Sequence, residues 1–288
     1  QYPVQPMGVS YNSYLILDEK VAVMDSVDAR AADEWLAKLA HELDGRSPDY
    51  LVISHMEPDH SGSILRLAEK YQEMKLVGNT KTFTMLRQFF GAKAPTDDRL
   101  LEVGEGETLP LGAHTLHFML APMVHWPEVM VAYEETEKIL FSADAFGRFG
   151  SLGRTANAPW APQARRYYYN IVGKYGAQVQ ALLKKASALE IKTVCPLHGP
   201  VLTGEALGEA LRLYDLWSRW QSESPDDILL AHASIHGNTA RAAELLKQKL
   251  EAKGARVTLC DLTTTEVSYA VANAFYCGKL VLACSTYD

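Results

Sequence analysis

Residues 54–62 read Ser-His-Met-Glu-Pro-Asp-His-Ser-Gly, and this stretch decides how the rest of the chain is interpreted. It carries four potential metal ligands within six residues, namely His55, Glu57, Asp59 and His60. The apolar run 50–53 before it predicts a buried strand, and a helical pattern starts at Ile64. We therefore expect the four side chains on a strand-to-helix loop, where rigid elements fix them and solvent still reaches them. The stretch predicts half of a two-metal redox site.

The composition is that of an ordinary globular protein. The 288 residues are 48% hydrophobic and 22% charged, which suits one large domain or two smaller ones. The formal net charge of −7 argues against a nucleic-acid partner. No apolar run reaches the ~18 residues of a membrane span, and no signal peptide is visible. We expect no membrane partner and a cytoplasmic location.

The cysteines fit that location. None of Cys195, Cys260, Cys277 and Cys284 forms a Cys-x-x-Cys pair, which argues against a rubredoxin-like iron site or an iron–sulfur cluster within this chain. We expect buried free thiols in a reducing compartment.

Three further candidate ligands each follow an apolar, strand-like run. His125 lies between two prolines after residues 114–120, Asp144 follows residues 138–142, and His198 follows residues 191–195. Burying an unpaired carboxylate is costly, so packing alone does not explain Asp144. Two sheets whose strand ends converge on one edge would bring these three groups to residues 55–60.

Seven convergent groups exceed what one catalytic zinc ion needs, which is three protein ligands and a water. They suit two metals that share a carboxylate. Asp144 is the natural bridge, because a carboxylate has two oxygens whereas imidazole has one accepting lone pair. A carboxylate-rich set without thiolate favours a harder, redox-active metal such as iron, and Glu57 matters most for that choice. Three carboxylates and one hydroxide would balance the charge of two ferrous ions.

A second unit follows a polar segment, 222–227, which contains a Pro-Asp step. We place the domain boundary there, with a first domain at residues 1–224 and a second at residues 225–288. In the second unit, strands and helices alternate in the order βαβαβ. This order predicts a parallel, doubly wound sheet.

The loop after the first strand of this unit predicts an anion site. It consists of Ser234, Ile235, His236, Gly237, Asn238 and Thr239. Its N–H groups and the start of the next helix can hold a phosphate. Neither a P-loop motif nor a G-x-G-x-x-G motif is present, which disfavours nucleoside triphosphates and dinucleotides.

In the flavodoxin-like strand order, a cofactor binds where the first and third strands meet. The third strand is followed by Ser285, Thr286, Tyr287 and Asp288. We expect both loops to bind flavin mononucleotide (FMN). A receiver-like or plain Rossmann-type domain remains the alternative for this unit.

The pattern His-x-Glu-x-Asp-His at 55–60, followed by His125, Asp144 and His198, resembles that of the flavodiiron proteins, as does the Ser-x-x-Gly-Asn-Thr loop at 234–239. The resemblance covers nearly the whole chain. It implies an α/β fold, with a metallo-β-lactamase-like αββα sandwich followed by a partial flavodoxin-like sheet.

The resemblance also implies a ligand set. One iron would take His55, Glu57 and His125, the other would take Asp59, His60 and His198, and Asp144 would bridge them. No catalytic residue is implied beyond these ligands. Hydrolytic relatives bind zinc and carry a histidine where this chain has Glu57.

The implied reaction is the reduction of dioxygen to water, of nitric oxide to nitrous oxide, or of both, by an enzyme that uses two irons and FMN. The implied partners are an external electron donor such as rubredoxin and a second copy in a head-to-tail homodimer. The alternatives are a zinc-dependent hydrolase of the metallo-β-lactamase superfamily and a non-catalytic sensor of dioxygen or nitric oxide. The usual leading strands and later flavin loops are missing, so we expect a fragment of a longer chain that by itself binds flavin weakly or not at all.

Overall fold

Two β-sheets face each other across a shared apolar layer, in a computed structural model that describes residues 7–286. The first sheet consists, in spatial order, of β1 (Tyr14–Ile16), β2 (Ala22–Met24), β3 (Tyr50–Val52), β4 (Lys75–Gly78) and β5 (Leu100–Glu102). The second contains β6 (Thr108–Pro110), β7 (Thr115–Leu120), β8 (Met130–Glu134), β9 (Ile139–Phe141), β10 (Thr193–Cys195) and β11 (Leu202–Thr203). Its spatial order is β11-β10-β9-β8-β7-β6.

Eight helices belong to this part of the described chain. They are α1 (Ala32–Leu43), α2 (Pro58–Ser61), α3 (Ile64–Lys70), α4 (Thr80–Phe90), α5 (Leu152–Thr155), α6 (Trp160–Tyr167), α7 (Gly176–Ala186) and α8 (Gly204–Ser218). The apolar sides of α1, α3 and α4 cover the outer face of the first sheet, and α6, α7 and α8 cover that of the second. The predicted αββα sandwich is therefore confirmed.

Strand β8 shows how the sequence builds these layers. Met130 and Ala132 face the first sheet, whereas Val131 and Tyr133 face the helices. Because successive side chains of a strand point to opposite faces, a strand buried on both sides has to be apolar at nearly every position. Its neighbours β7 and β9 then hold the strand ends in register at one edge of the sandwich.

A third sheet forms the second unit. It contains β12 (Ser224–Ala233), α9 (Asn238–Glu251), β13 (Val257–Asp261), α10 (Val267–Tyr276) and β14 (Cys277–Cys284). The strand order is β13-β12-β14, and both pairings are parallel, as the βαβαβ pattern predicts. Ala233 is paired with Cys284, so the chain leaves β12 and β14 side by side.

Residues 222–227 were expected to form a polar linker, but β12 already begins at Ser224. Ser224 pairs with Cys277, and the register shifts before Ile228. Tertiary pairing thus extends the strand into a polar segment. The division into residues 1–224 and 225–288 stays a prediction, and it falls inside the first residues of this strand.

The sequence pattern of residues 163–189 predicts one long helical stretch, with Gly173 and Gly176 as candidate positions for a break. In the structure, α6 ends at Tyr167 and is followed by a π-helical turn, Tyr168–Val172, and a 3-10 turn, Gly173–Tyr175. Helix α7 then starts at Gly176, where an added Cβ would collide with the backbone of α8. The close approach of two helices therefore fixes the position of the break.

All four cysteines are free, and Cys195, Cys260 and Cys277 are buried as expected. Cys284 is exposed, contrary to expectation, because it ends β14 at the edge of the third sheet. Among the described helices, none combines the length and hydropathy that crossing a membrane needs.

Candidate metal centre

The strand ends of both sheets converge at one edge of the sandwich, and the structure brings all seven predicted ligands together there. Their ligand atoms form two groups, each with its members within 4.8 Å of one another. The first group contains His55, Glu57, His125 and Asp144, and the second contains Asp59, His60 and His198.

One local expectation needs a correction. Asp59 and His60 lie on the short helix α2 rather than on a loop. Pro58 occupies the first helical turn, where its fixed φ favours helix and its missing N–H costs nothing. The helix turns His60 inward, where it is buried, and leaves the side chain of Asp59 24% exposed.

The first group surrounds a common point. His125 Nε2 lies 3.1 Å from Glu57 Oε2 and 3.1 Å from Asp144 Oδ2. His55 Nε2 lies 3.4 Å from the same glutamate oxygen and 3.8 Å from the same aspartate oxygen. Two imidazole nitrogens and two carboxylate oxygens thus face one another at the end of the buried sheets.

The second group has the same character. His60 Nε2 and His198 Nε2 lie 3.1 Å apart. Asp59 Oδ2 is 3.6 Å from the first of these nitrogens and 3.5 Å from the second. Asp144 Oδ1 is 3.1 Å and 3.6 Å from them, respectively.

Asp144 joins the two groups. Its Oδ2 faces the first and its Oδ1 faces the second, and its side chain is 1% exposed. Tyr167 donates a hydrogen bond from its hydroxyl to Oδ2 at 2.7 Å. A carboxylate that presents one oxygen to each of two ligand groups has the arrangement of a bridging ligand.

The residues present fit two metal ions. Asp59 Oδ1 and Asp144 Oδ1 are buried, and among residues 7–286 no donor meets either of them in hydrogen-bonding geometry. Buried carboxylate oxygens without partners are costly unless a cation satisfies them. Imidazole nitrogens and carboxylate oxygens are the ligands that iron, zinc and similar ions accept.

The pKa values of the ligand residues follow from the short distances between buried carboxylates and imidazoles. Burial by itself would raise the pKa of Asp144, but the nearby His60 and His198 hold it well below its ordinary value. Burial likewise opposes the shift at Glu57, where hydrogen bonds from histidines lower the pKa to about 2. For His125, burial is outweighed by Asp144 and Glu57, which raise its pKa to about 9. Asp144 and Glu57 therefore ionise readily, as ligands of a metal ion must.

Sequence reasoning missed Glu128, which orients His55. His55 donates from Nδ1 to Glu128 Oε1 at 2.7 Å, and the N–H of Met56 donates to the same oxygen at 2.9 Å. The glutamate is buried. Because Nδ1 carries the proton, Nε2 keeps its lone pair for the ligand group. A Pro-Glu step two residues after a candidate ligand, His125, was the available signal.

The Ser10 carbonyl and the Asp25 carboxylate hold parts of the metal centre in position through hydrogen bonds. His198 donates from Nδ1 to the carbonyl of Ser10 at 2.7 Å, which again directs Nε2 into the site. Asp25 Oδ1 accepts from the backbone N–H groups of Ser54 and His55 at 2.7 and 3.3 Å. Asp25 has a φ of 56°, a strained value for a non-glycine residue. Its burial raises the pKa of its carboxyl group.

Aromatic rings pack against two histidines of the metal centre. Trp126 stands edge-on to His55 at 5.2 Å between centroids, and Tyr11 stands edge-on to His198 at 6.0 Å. The Glu57 side chain is 35% exposed, so solvent and small molecules reach the first group beside it. The side chains of His55, His60, His198 and Asp144 are at most 4% exposed, and their burial strengthens the electrostatic interactions among them.

The first expected flavin loop lies at the carboxyl end of the third sheet, between β12 and α9. Gly237 has a φ of +83°, and α9 starts directly after it without a side-chain cap. Ser234 Oγ is buried and has no hydrogen-bond partner within the described part of the chain, whereas Ile235 and His236 are exposed. An uncapped helix N-terminus beside a free hydroxyl fits an anionic group.

The second expected loop is described only in part. Ser285 and Thr286 are exposed beside the first loop, and Tyr287 and Asp288 lie outside the described residues.

Comparison with known proteins agrees with this geometry. The family model described as "ODP family beta lactamase" matches residues 9–199. The crystal structure of the flavodiiron protein from Giardia intestinalis superimposes with a TM-score of 0.90 at 30% identity, over 98% of this chain and 69% of that one. The chain belongs to the flavodiiron protein family. The predicted family and fold class are thereby confirmed.

Two curated relatives show how this family member compares in length. Rubredoxin-oxygen oxidoreductase of Megalodesulfovibrio gigas is 29% identical over 100% of this chain and 72% of its own length. Anaerobic nitric oxide reductase flavorubredoxin of Vibrio vulnificus is 29% identical over 98% of this chain and 58% of its own length. Several diflavin flavoproteins among the relatives are longer still, and this chain spans 45% of their length.

Proposed function

We propose that this flavodiiron family member is an oxidoreductase that reduces dioxygen to water, nitric oxide to nitrous oxide, or both. The observation that carries the proposal is the position of Asp144, whose two oxygens face two separate ligand groups. The names of the relatives from M. gigas and V. vulnificus support the two substrates.

The two groups would each hold one iron. The first iron would take His55, Glu57 and His125, the second would take Asp59, His60 and His198, and Asp144 would bridge them. Three carboxylates and no thiolate favour iron over metals that prefer softer ligands. Two ferrous ions and one reduced flavin would hold the four electrons that the reduction of dioxygen to water requires, whereas two molecules of nitric oxide require only two.

The surrounding residues orient ligands and hold protons. Glu128 and the Ser10 carbonyl fix the tautomers of His55 and His198, so that both Nε2 atoms face the centre. Tyr167 keeps its proton, because burial raises its pKa well above the ordinary value, and its hydroxyl donates a hydrogen bond to the bridging carboxylate. Trp126 and Tyr11 exclude water on two sides.

The second unit would bind FMN between its two loops, 234–239 and 285–288. The uncapped start of α9 and the free Ser234 hydroxyl support a phosphate position there. The flavin loops and the metal ligands belong to different units, so a head-to-tail homodimer would bring the flavin of one chain to the metal centre of the other. A rubredoxin-type donor would supply electrons, as the name of the M. gigas relative suggests.

Anaerobic stopped-flow measurement tests this function. The iron-loaded, reduced protein, with an excess of reduced rubredoxin as electron donor, is mixed with dioxygen and with nitric oxide in turn, after its metal content has been determined. We expect two irons per chain and rapid oxidation of the protein by at least one gas over repeated turnovers. Two zinc ions with ester hydrolysis would instead establish a hydrolase, and gas binding without turnover would establish a sensor.

A further inference from the structure

We propose that Arg166 is a positioning residue that couples the flavodoxin-like unit to the metal centre, by holding Tyr167 in its hydrogen bond with Asp144. Arg166 and Tyr167 are consecutive residues at the end of α6. The first contacts the second unit, and the second contacts the bridging carboxylate. This inference rests on the proposed two-metal centre and adds a structural link that neither unit contains alone.

The guanidinium of Arg166 is enclosed by residues of both units. Its side chain is 2% exposed. It donates from Nε to Ser268 Oγ at 2.6 Å, and one terminal nitrogen lies 3.1 Å from Glu266 Oε2. The Tyr269 ring lies 4.1 Å from the guanidinium carbon. A planar guanidinium that is hydrogen-bonded along one edge and stacked on an aromatic ring has little freedom to move.

The contact on the second unit is itself rigid. Glu266 caps the start of α10, because its Oε1 accepts from the backbone N–H of Ser268 at 3.0 Å. Further along the same helix, Phe275 stacks on Tyr169 with centroids 4.2 Å apart and an interplanar angle of 4°. The π-helical turn that carries Tyr169 begins directly after Tyr167. The end of α6 is thus held on α10 from two sides.

Phe149 connects the guanidinium to the tyrosine. Its ring lies 4.7 Å from the guanidinium carbon of Arg166 and stands edge-on to Tyr167 at 5.2 Å. The Tyr167 ring also lies 5.5 Å from His198, and its hydroxyl donates to Asp144. A continuous set of packed, buried groups therefore leads from α10 to the bridging carboxylate. Coupling along such a set has to be shown by the interaction of two substitutions.

The test is a double-mutant cycle read out by cobalt. Co²⁺ is bound to the full chain, and its visible ligand-field bands are recorded for the unmodified protein, Arg166→Gln, Tyr167→Phe and the double variant. We expect Arg166→Gln to shift the bands in the same direction as Tyr167→Phe and to weaken Co²⁺ binding about tenfold. We expect the double variant to match Tyr167→Phe, because the arginine acts through that hydroxyl.

Arg165→Gln is the matched control. Arg165 precedes Arg166 on the same helix, pairs with Glu223 and lies 4.4 Å from the Tyr276 ring of the same second unit. We expect this variant to leave the cobalt bands in place. If Arg166→Gln does not fold, Ser268→Ala removes one contact of the guanidinium from the side of the second unit and should produce the smaller shift of the same sign.

Two results would overturn the inference. One is an unchanged cobalt spectrum in a folded Arg166→Gln protein. The other is a band shift by Arg166→Gln that is equally large in the unmodified protein and in the Tyr167→Phe variant. Cobalt reports the ligand field whether or not the protein reduces a gas. Coupled spectra without gas reduction would therefore contradict the proposed function alone, whereas failure of the unmodified chain to bind cobalt would contradict both.

Discussion

The Nε2 atoms of His60 and His198 lie 3.1 Å apart, although the two residues are 138 positions apart in the chain. His198 uses its Nδ1–H on the carbonyl of Ser10, so its Nε2 presents a lone pair. A lone pair that faces a second imidazole nitrogen at this distance needs a proton or a cation between or beside the two atoms. The fold thus creates an arrangement that a metal ion would satisfy.

Replacing Glu57 tests the choice of metal. We expect Glu57→His to move the metal content from iron towards zinc and to abolish gas reduction, because imidazole replaces the carboxylate that makes the first group hard and anionic. Metal per chain is measured by mass spectrometry. The exposed Glu73 provides a control, since Glu73→His adds a histidine away from the centre. Unchanged iron content in Glu57→His would contradict the account.

Replacing Glu128 tests the orientation of His55. We expect Glu128→Gln to weaken metal binding about tenfold, because a neutral amide holds and polarises the imidazole less than a carboxylate does. Competition with a chelator measures the affinity. Glu134→Gln is the matched control, because Glu134 is equally buried and accepts only from the backbone of Thr136 and Glu137 among its described hydrogen bonds. Equal affinities in the two variants would show that Glu128 has no such role.

Removing the Tyr167 hydroxyl tests the bond to Asp144 in the absence of metal. We expect Tyr167→Phe to lower the free energy of unfolding by about 1–3 kcal/mol, because a buried carboxylate loses a donor. Urea denaturation of the metal-free protein measures it. Tyr168 is the neighbouring control, since its buried hydroxyl has no hydrogen-bond partner among the described residues. Tyr168→Phe should be neutral or stabilising, and an equal loss in both variants would contradict the prediction.

The raised pKa of His125 predicts that metal binding releases a proton. Below about pH 9 the metal-free imidazole is charged, so a metal has to displace its proton and the apparent affinity falls as the pH falls. The carboxyl group of Glu57, with a pKa of about 2, is already ionised at neutral pH and releases none. Calorimetry at pH 7 in two buffers of different ionisation enthalpy measures the release. Identical heats in both buffers would contradict this prediction.

The sequence predicted the seven candidate ligands because each one combines an unusual residue type with the end of an apolar strand. Strands such as β8 were predictable from continuous apolar runs, which indicate burial on both faces, whereas the αββα order of the layers followed from the resemblance to the flavodiiron proteins. The break after α6 was predictable only roughly, because the glycine that permits it acts through its contact with α8.

Other features depended on contacts that no local pattern reports. Glu128 reads as a surface residue of a Pro-Glu step, yet the fold brings it to His55, 73 positions away. No local sequence pattern distinguishes Arg166, yet its contacts with α10 leave its side chain 2% exposed. The start of β12 reads as a linker, and only its pairing with Cys277 makes it a strand.

The central claim is that two irons share Asp144, and electron paramagnetic resonance of the iron-loaded protein at intermediate states of reduction tests it most directly. We expect one signal from a spin-coupled ferrous–ferric pair, absent from the fully oxidised protein and lost on complete reduction. An isolated high-spin ferric signal that accounts for all of the bound iron would contradict it.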